Sequence, residues 1–474
     1  MVALIAVSAI AVYELRFAGG GCEPLGTGGA QKSQVEPRSF GAVTEFYLPH
    51  PSRWANALAV ARDGSVWFGE MGRPGIGHLF DNGTLVEYPW PGVAPLANPS
   101  QYVTGIWGVA LWNGMVWGAN FDQNELVGLD PSRSCAVIIN LPKESVFPYT
   151  LAISPEGSLW FTSISQPPIL GRVSPDLSVS ILNVSLPHGS SPAQVQFVSP
   201  TLAYFVAVSP STNSGGVYAF DPENASSPVR PTPVGEGFSL VSPNSISVSS
   251  GRVWVTQHYP SSVASYNLAS GLWTLYPTST ENYTLTTLPY FIEANGSEVW
   301  FNEHYGNRIA LVNLTSETLT EYSEADPPIT NGTKIQDDLT IAEGDGGLWF
   351  TSTTGNYVGF VSAAHHLPFA IYQVGGNQSL TLTPGGTASL SFWIKGTWTG
   401  ALRVQVSDTE NFTGVPRLLH MTPGASMIEP WTSPSELDVQ LTASPSIEPG
   451  DYTVAVTATD GLLSQSSYVF VEIK

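Results

Sequence analysis

The chain has 474 residues, a formal net charge of −21 and only 12% charged side chains. This balance excludes an electrostatic grip on nucleic acid, which needs clustered Lys and Arg against phosphate, and no basic run occurs. It suits a solvated surface, or cationic ligands and metals, while the length predicts more than one folded domain.

Residues 1–13 are apolar or small and are closed by Glu14 and Arg16. The run is short for a membrane span, which needs about 20 residues, and it has the length of an export signal without a basic start. Residues 1–22 therefore read as a signal or membrane-anchor segment. Residues 23–41 read as a flexible linker, because glycines crowd the stretch from Gly19 to Gly29. The two cysteines, Cys22 and Cys135, are too few for a disulfide framework. One bridge from the leader to the second repeat and lipid attachment at Cys22 are competing readings. Nine Asn-x-Ser/Thr sequons favour an extracellular face: Asn82, Asn183, Asn224, Asn282, Asn295, Asn313, Asn331, Asn377 and Asn411. The expected location is outside the cell or on its surface. Any membrane contact is expected through the N-terminal segment alone.

From residue 42 the chain repeats one phrase seven times. The cores are Val66-Trp67-Phe68, Val116-Trp117-Gly118, Leu159-Trp160-Phe161, Ala203-Tyr204-Phe205, Val253-Trp254-Val255, Val299-Trp300-Phe301 and Leu348-Trp349-Phe350. The aromatic centres lie 50, 43, 44, 50, 46 and 49 residues apart. Such a period holds four short strands and their turns, and radial repetition of four-stranded sheets is a β-propeller. In the third repeat, residues 149–153 alternate as an innermost strand, and 158–162, 169–173 and 178–182 follow as the second, third and fourth. Asp63-Gly64, Asn113-Gly114, Ser250-Gly251, Asn295-Gly296 and Asp345-Gly346 supply tight turns between first and second strands. Trp and Phe at these positions fill the wedge between sheets without any catalytic role. Residues 42–49 look like a fourth strand but precede the first repeat. They are predicted to complete the last blade, whose other strands come from 336–362.

After His366 the tryptophan phrase stops, and alternation returns over 379–392, 450–459 and 467–472. An immunoglobulin-like sandwich is the expected fold of 367–474. The whole chain is predicted to be all-β: a seven-bladed β-propeller over 42–366, then an immunoglobulin-like β-sandwich.

The phrase Asp63-Gly64-Ser65-Val66-Trp67-Phe68-Gly69-Glu70 with Ile76-Gly77 resembles the repeat of streptogramin lyases, the virginiamycin B lyase family. Glu156-Gly157-Ser158-Leu159-Trp160-Phe161-Thr162 with Leu170-Gly171-Arg172-Val173, and Val299-Trp300-Phe301-Asn302-Glu303 with Asn307-Arg308-Ile309, repeat it. The resemblance covers residues 42–362 and implies seven blades. It also implies a histidine base on an innermost strand and a Mg2+ ion held partly by the glutamate of a Trp-Phe-x-Glu phrase. The matching histidine positions are Asn56, Trp107, Tyr149, Gln194, Asn244, Tyr290 and Asp337, and none is histidine. Tyr290 puts a phenol there, a poor base at neutral pH.

The second residue after each Trp-Phe pair gives Glu70, Gln257 and Glu303, followed by His258 and His304. Glu70, Glu303 and Asp337 come from neighbouring blades and are the expected ligands of Mg2+ or Ca2+. His304, His258 and Tyr290 are the candidate acid–base groups. Asn56, Trp107, Tyr149, Asn244 and Gln257 are the candidate ligand-binding groups. No nucleophile elbow, phosphate-cradling loop, zinc spacing or EF-hand loop occurs. The leading expectation is recognition of a small-molecule, peptide or glycan ligand at the channel mouth. A metal-dependent lyase or hydrolase and a structural part of the cell envelope are the alternatives.

Overall fold

Large aromatic side chains at one position of each repeat can leave water only between sheets, and this dictates the architecture. The computed structural model describes residues 22–474 apart from 26–28, 51–52, 73–74, 91–104, 142–145, 188, 210, 227, 236–237, 239, 280–286, 326–337, 377–378, 409–418 and 431–433. Every regular element among the described residues is a β-strand. The innermost strands are Ala55–Val60, Ile106–Trp112, Pro148–Ile153, Ser191–Ser199, Pro243–Ser249, Pro289–Asn295 and Asp338–Gly344. Each lies against the next and the last against the first, so the sheets fan around one channel. We number the blades 1 to 7 in this order.

The repeated aromatic is buried in every blade and packs on the following one. Trp67 meets Ile106 and Val116, and Trp117 meets Leu159 and Phe161. Trp160 meets Val195 and Phe205, Tyr204 meets Ile246 and Val255, and Trp254 meets Ile292 and Phe301. Trp300 shares a core cluster with Ile341 and Phe350 of blade 7, and Trp349 shares one with Leu58 and Phe68 of blade 1. Each such ring buries roughly 150–250 Å2, a gross gain of about 4–6 kcal/mol before entropy. The Ile-Gly spacing has an equally plain cause. Gly77, Gly171 and Gly359 lie directly across the ladder from Phe68, Phe161 and Phe350. A methyl group on any of these glycines would overlap the facing phenylalanine ring.

Closure follows the expectation. Val43–Tyr47 pairs antiparallel with Tyr357–Ser362 as the fourth strand of blade 7, from Tyr357↔Tyr47 to Val361↔Val43. The expected flexible linker before it takes a different form. Glu23–Pro24, Gln31–Gln34 and Pro37–Phe40 add outer strands to blades 2, 1 and 7 in turn. Cys22 is bonded to Cys135 on the fourth strand of blade 2 (Cα–Cα 5.4 Å), so the leader is a strap across three sheet edges. The three paired segments contain no glycine, so their backbone is free to join those edges.

The C-terminal residues form two sheets whose alternate side chains meet. Phe392, Ile394, Leu437, Val439 and Leu441 of one sheet pack with Val454, Val456, Val469 and Val471 of the other. This unit is not a separate bead. Its last strand, Leu463–Ile473, pairs with the outer strand of blade 6, Thr318–Ser323, so that one sheet of nine strands crosses both units. Tyr468 is fully buried among Trp254, Tyr276 and Phe301, and its hydroxyl donates to the Pro277 carbonyl at 3.1 Å. The Ser407 hydroxyl donates to the Thr278 carbonyl at 2.9 Å.

Deletion of residues 367–474 is therefore expected to strip the edge of blade 6 and uncover Trp254 and Tyr276. Thermal unfolding of the truncated chain should show a lowered or lost cooperative transition. An unshifted transition would mean that the two units are energetically independent.

Candidate functional site

The start of each innermost strand lies beside the end of the second strand, which brings the predicted residues to one rim. The register pairs are Ala55↔Glu70, Pro148↔Ser163, Pro243↔Gln257 and Pro289↔Glu303. The ladder slips just after each of these pairs. Asn56, Tyr149, Asn244 and Tyr290 thus sit in β-bulges, which re-aim side chains. The residue two positions before each has a left-handed backbone: Trp54 (φ 52°), Phe147 (φ 36°), Ser242 (φ 48°) and Leu288 (φ 52°). Bulky residues seldom adopt that conformation. Its recurrence at equivalent places shows that the fold imposes it.

Tyr149 and Tyr290 come from blades 3 and 6, and their hydroxyls hydrogen-bond across the channel at 2.7 Å. Around this pair the rings run on without a break. Trp107 is 5.4 Å from Tyr149 and 6.0 Å from Phe121, which is 5.3 Å from Phe147. On the other side Tyr290 is stacked against both His258 (5.7 Å, 20°) and His304 (5.0 Å, 27°). His304 is stacked in turn on Tyr305 at 5.0 Å. Phe147 and Tyr305 end the row with 41% and 39% of their surface exposed.

The chemistry of these groups is restrained. Asn244 Nδ2 lies 2.9 Å from His258 Nε2 and also donates to the Ser242 carbonyl at 3.1 Å. Burial, reinforced by His304, pushes His258 down to about 3, so it stays neutral and accepts from Asn244. A base with its lone pair engaged and so low a pKa draws protons poorly near pH 7. Burial also raises the Tyr149 phenol well above its usual 10.

The expected metal ligands are differently employed. Glu70 and Glu303 share the face of the strand that carries Phe68 and Phe301, and this face is turned into the blade. Arg53 bridges Glu70 (3.3 Å) and Glu87 (2.9 Å). Arg308 bridges Glu303 (2.6 Å) and Glu321 (3.4 Å), and it donates to the Ser279 hydroxyl at 2.8 Å. Burial raises the Glu303 carboxyl well above its usual range, while Arg308 opposes the shift. Gln257, at the equivalent position, donates to Ser262 Oγ at 2.7 Å. Asn56 donates to the Ile106 carbonyl at 3.0 Å. Asp337 lies outside the described residues. Among those residues no group of three or more His, Cys, Asp or Glu side chains is placed to hold a metal. The donor set at Glu70 and Glu303 therefore does not fit a divalent cation, because each carboxylate has a guanidinium against it.

The arginine clamps escaped the sequence reading, though a signal existed. Glu303 and Arg308 face each other across a four-residue hairpin loop and form a direct cross-strand pair. Beneath the tyrosine pair the channel opens into a cavity of ≈ 240 Å3 lined by Trp107, Thr150, Gln194, Phe291, Glu293 and Thr340, among others.

Comparison with solved structures identifies the fold. Virginiamycin B lyase from Staphylococcus aureus matches with a TM-score of 0.53 and 19% identity, over 69% of this chain and 99% of that one. A catalytically inactive form of that enzyme, with quinupristin, gives 0.52 and 16% over the same shares. A streptogramin B lyase structure gives 0.51 and 19%, over 67% of this chain and 96% of that one. No protein-family model and no curated protein matches the chain. The likeness shows the fold, an all-β propeller similar to that of these lyases.

Two outcomes follow from the buried charges. Arg308→Met should leave Glu303 and Glu321 uncompensated and lower stability by about 3–5 kcal/mol in denaturant unfolding. A change within error would mean that the clamp is not structural. Glu293 supplies the second outcome, since burial raises it from its ordinary 4.5 to about 7. Between those values the folded chain holds a proton that the unfolded chain releases, so stability through this group falls as pH rises from 4.5 to 7. Glu293→Gln should flatten that fall and melt higher than the parent at about pH 8, as thermal unfolding across the range would show.

Proposed function

We propose that the protein is an exported or surface-held propeller that binds a ligand at the rim carrying Trp107, Tyr149, Tyr290, His258 and His304. One observation carries the reading: the unbroken row of rings that ends in exposed Phe147 and Tyr305. Such faces take up planar or ring-bearing groups of a small molecule, peptide or glycan, through stacking and burial. The Tyr149–Tyr290 hydroxyl pair and Asn244 supply the polar edge. The export part rests on the Cys22–Cys135 bridge, since disulfides persist in oxidising compartments. Asn82, Asn183 and Asn224, all sequon asparagines, are exposed as glycosylation would require. The envelope reading draws some support from the fused C-terminal sheet, but nothing in that sheet names a partner.

The lyase reading has one observation in its favour. His304 is in ring contact with Tyr290, which stands at the position where the streptogramin lyases resembled here carry their base. Against it stand the absent histidine on the innermost strands and the neutral, engaged His258.

The test is titration of the folded protein with soluble glycans and cyclic peptides, quinupristin among them. Trp107 and its neighbours would report binding by fluorescence, and mass spectrometry would report ring opening. Saturable binding without turnover is expected, weakened about tenfold or more in Tyr290→Ala. Ring opening lost in His304→Ala would move the assignment to a lyase. Binding indifferent to both substitutions would remove the rim as the site.

A further inference from the structure

Past that cavity the channel holds a second one, of ≈ 370 Å3, between the innermost strands of blades 4 to 7, and the two share Gln194 and Glu293. Its polar lining is Gln194, Gln196, Ser247, Glu293, Asn295 and Glu343. The two glutamates come from adjacent blades, and the Glu343 backbone N–H donates to Glu293 Oε2 at 2.5 Å. Asn295 Nδ2 donates to Glu343 Oε2 at 3.0 Å. Neither carboxylate has a lysine or arginine partner among the described residues. Two deeply buried pairs elsewhere hold a guanidinium, Arg53 between Glu70 and Glu87 and Arg308 between Glu303 and Glu321, while buried Glu45 and Glu324 accept from the hydroxyls of Tyr47 and Tyr357. The second cavity lacks the corresponding positive charge, and leaving two carboxylates half-buried without one is unfavourable.

The two glutamines fix the rest of the chemistry. Gln194 Oε1 accepts from the Ile246 backbone N–H at 2.9 Å and from the Ser245 hydroxyl, and Gln196 Oε1 accepts from the Val248 backbone N–H at 2.5 Å. Their oxygens are thereby engaged and their amide N–H groups remain for the cavity. Blade 4 thus offers donors, while blades 6 and 7 offer anionic acceptors. A metal ion wants oxygen from all sides and a far smaller space. We propose that this opening is a second ligand site, which takes a small organic ammonium compound that also carries an oxygen acceptor, such as an amino alcohol or amino sugar. The ammonium would sit between Glu293 and Glu343, and the oxygen would receive the Gln194 and Gln196 amides. Burial raises the Glu293 carboxyl to about 7, and an ammonium beside it would favour the ionised form again. The site adjoins the cavity beneath the rim through Gln194 and Glu293, includes none of the rim's aromatic residues, and does not depend on the reading given to them.

Glucosamine and glucose make a matched pair of probes, because they differ at the amine. Calorimetric titration of the unglycosylated full chain, which keeps Asn295 free of a covering glycan, should show saturable binding of glucosamine. Glucose should bind at least about tenfold more weakly. Glu293→Gln and Glu343→Gln are near-isosteric, and each should weaken glucosamine about tenfold without lowering the melting temperature. Tyr290→Ala at the rim should leave this binding unchanged. Equal binding of the two sugars would overturn the proposal. So would saturation by Ca2+ in place of the amine, no saturable glucosamine binding, or binding that survives both glutamine variants.

Discussion

The contact that everything else hangs on is the aromatic wedge between neighbouring sheets. A flat sheet cannot bury both faces by itself, and each blade here buries one face by pressing its tryptophan or tyrosine on the next blade's inner strands. The wedge works because the third strand yields: Gly77, Gly171 and Gly359 leave room for a phenylalanine ring on the strand beside them. Seven such contacts close on themselves when Trp349 reaches blade 1 and Val43–Tyr47 completes blade 7. Once the ring is closed, the innermost strands have no choice but to line a common channel.

The channel inherits its chemistry from two features of those strands. At one end, bulges turn Tyr149 and Tyr290 toward each other, and the histidines that end the neighbouring second strands stack on Tyr290. Farther along the channel the same strands present Gln194, Gln196, Glu293 and Glu343. The first end is aromatic and nearly neutral, and the farther part is polar and anionic. The hydroxyl pair of Tyr149 and Tyr290 spans the opening at the aromatic end.

Ionic groups divide the same way. Glu70, Glu87, Glu303 and Glu321 lie between strands, where water cannot reach them, and Arg53 and Arg308 neutralise them. Their role is to tie second strands to third and fourth strands. The fused C-terminal sheet covers the blade 6 side of this arrangement, with Tyr468 packed beside Trp254. The strap from Cys22 to Phe40 covers the edges of blades 2, 1 and 7. Both additions meet the same need, since an open strand edge leaves backbone groups unpaired.

By itself the sequence determined the repeat, the strand order within a blade, the ring closure and the rim shared by Tyr290, His258 and His304. Those features are periodic, and period-two alternation with Gly-containing turns reads directly from the chain. It could not decide which way a strand-end side chain points. Glu70, Glu303 and Gln257 sit at strand ends near the rim, yet they share the parity of Phe68 and Phe301 and so turn inward to Arg53, Arg308 and Ser262. Nor could composition show that the leader pairs with three blades, or that a distant C-terminal strand extends blade 6 from Thr318↔Ser467 to Tyr322↔Leu463. Those outcomes depend on distant backbone edges needing partners, and only the assembled ring says which edges are left open.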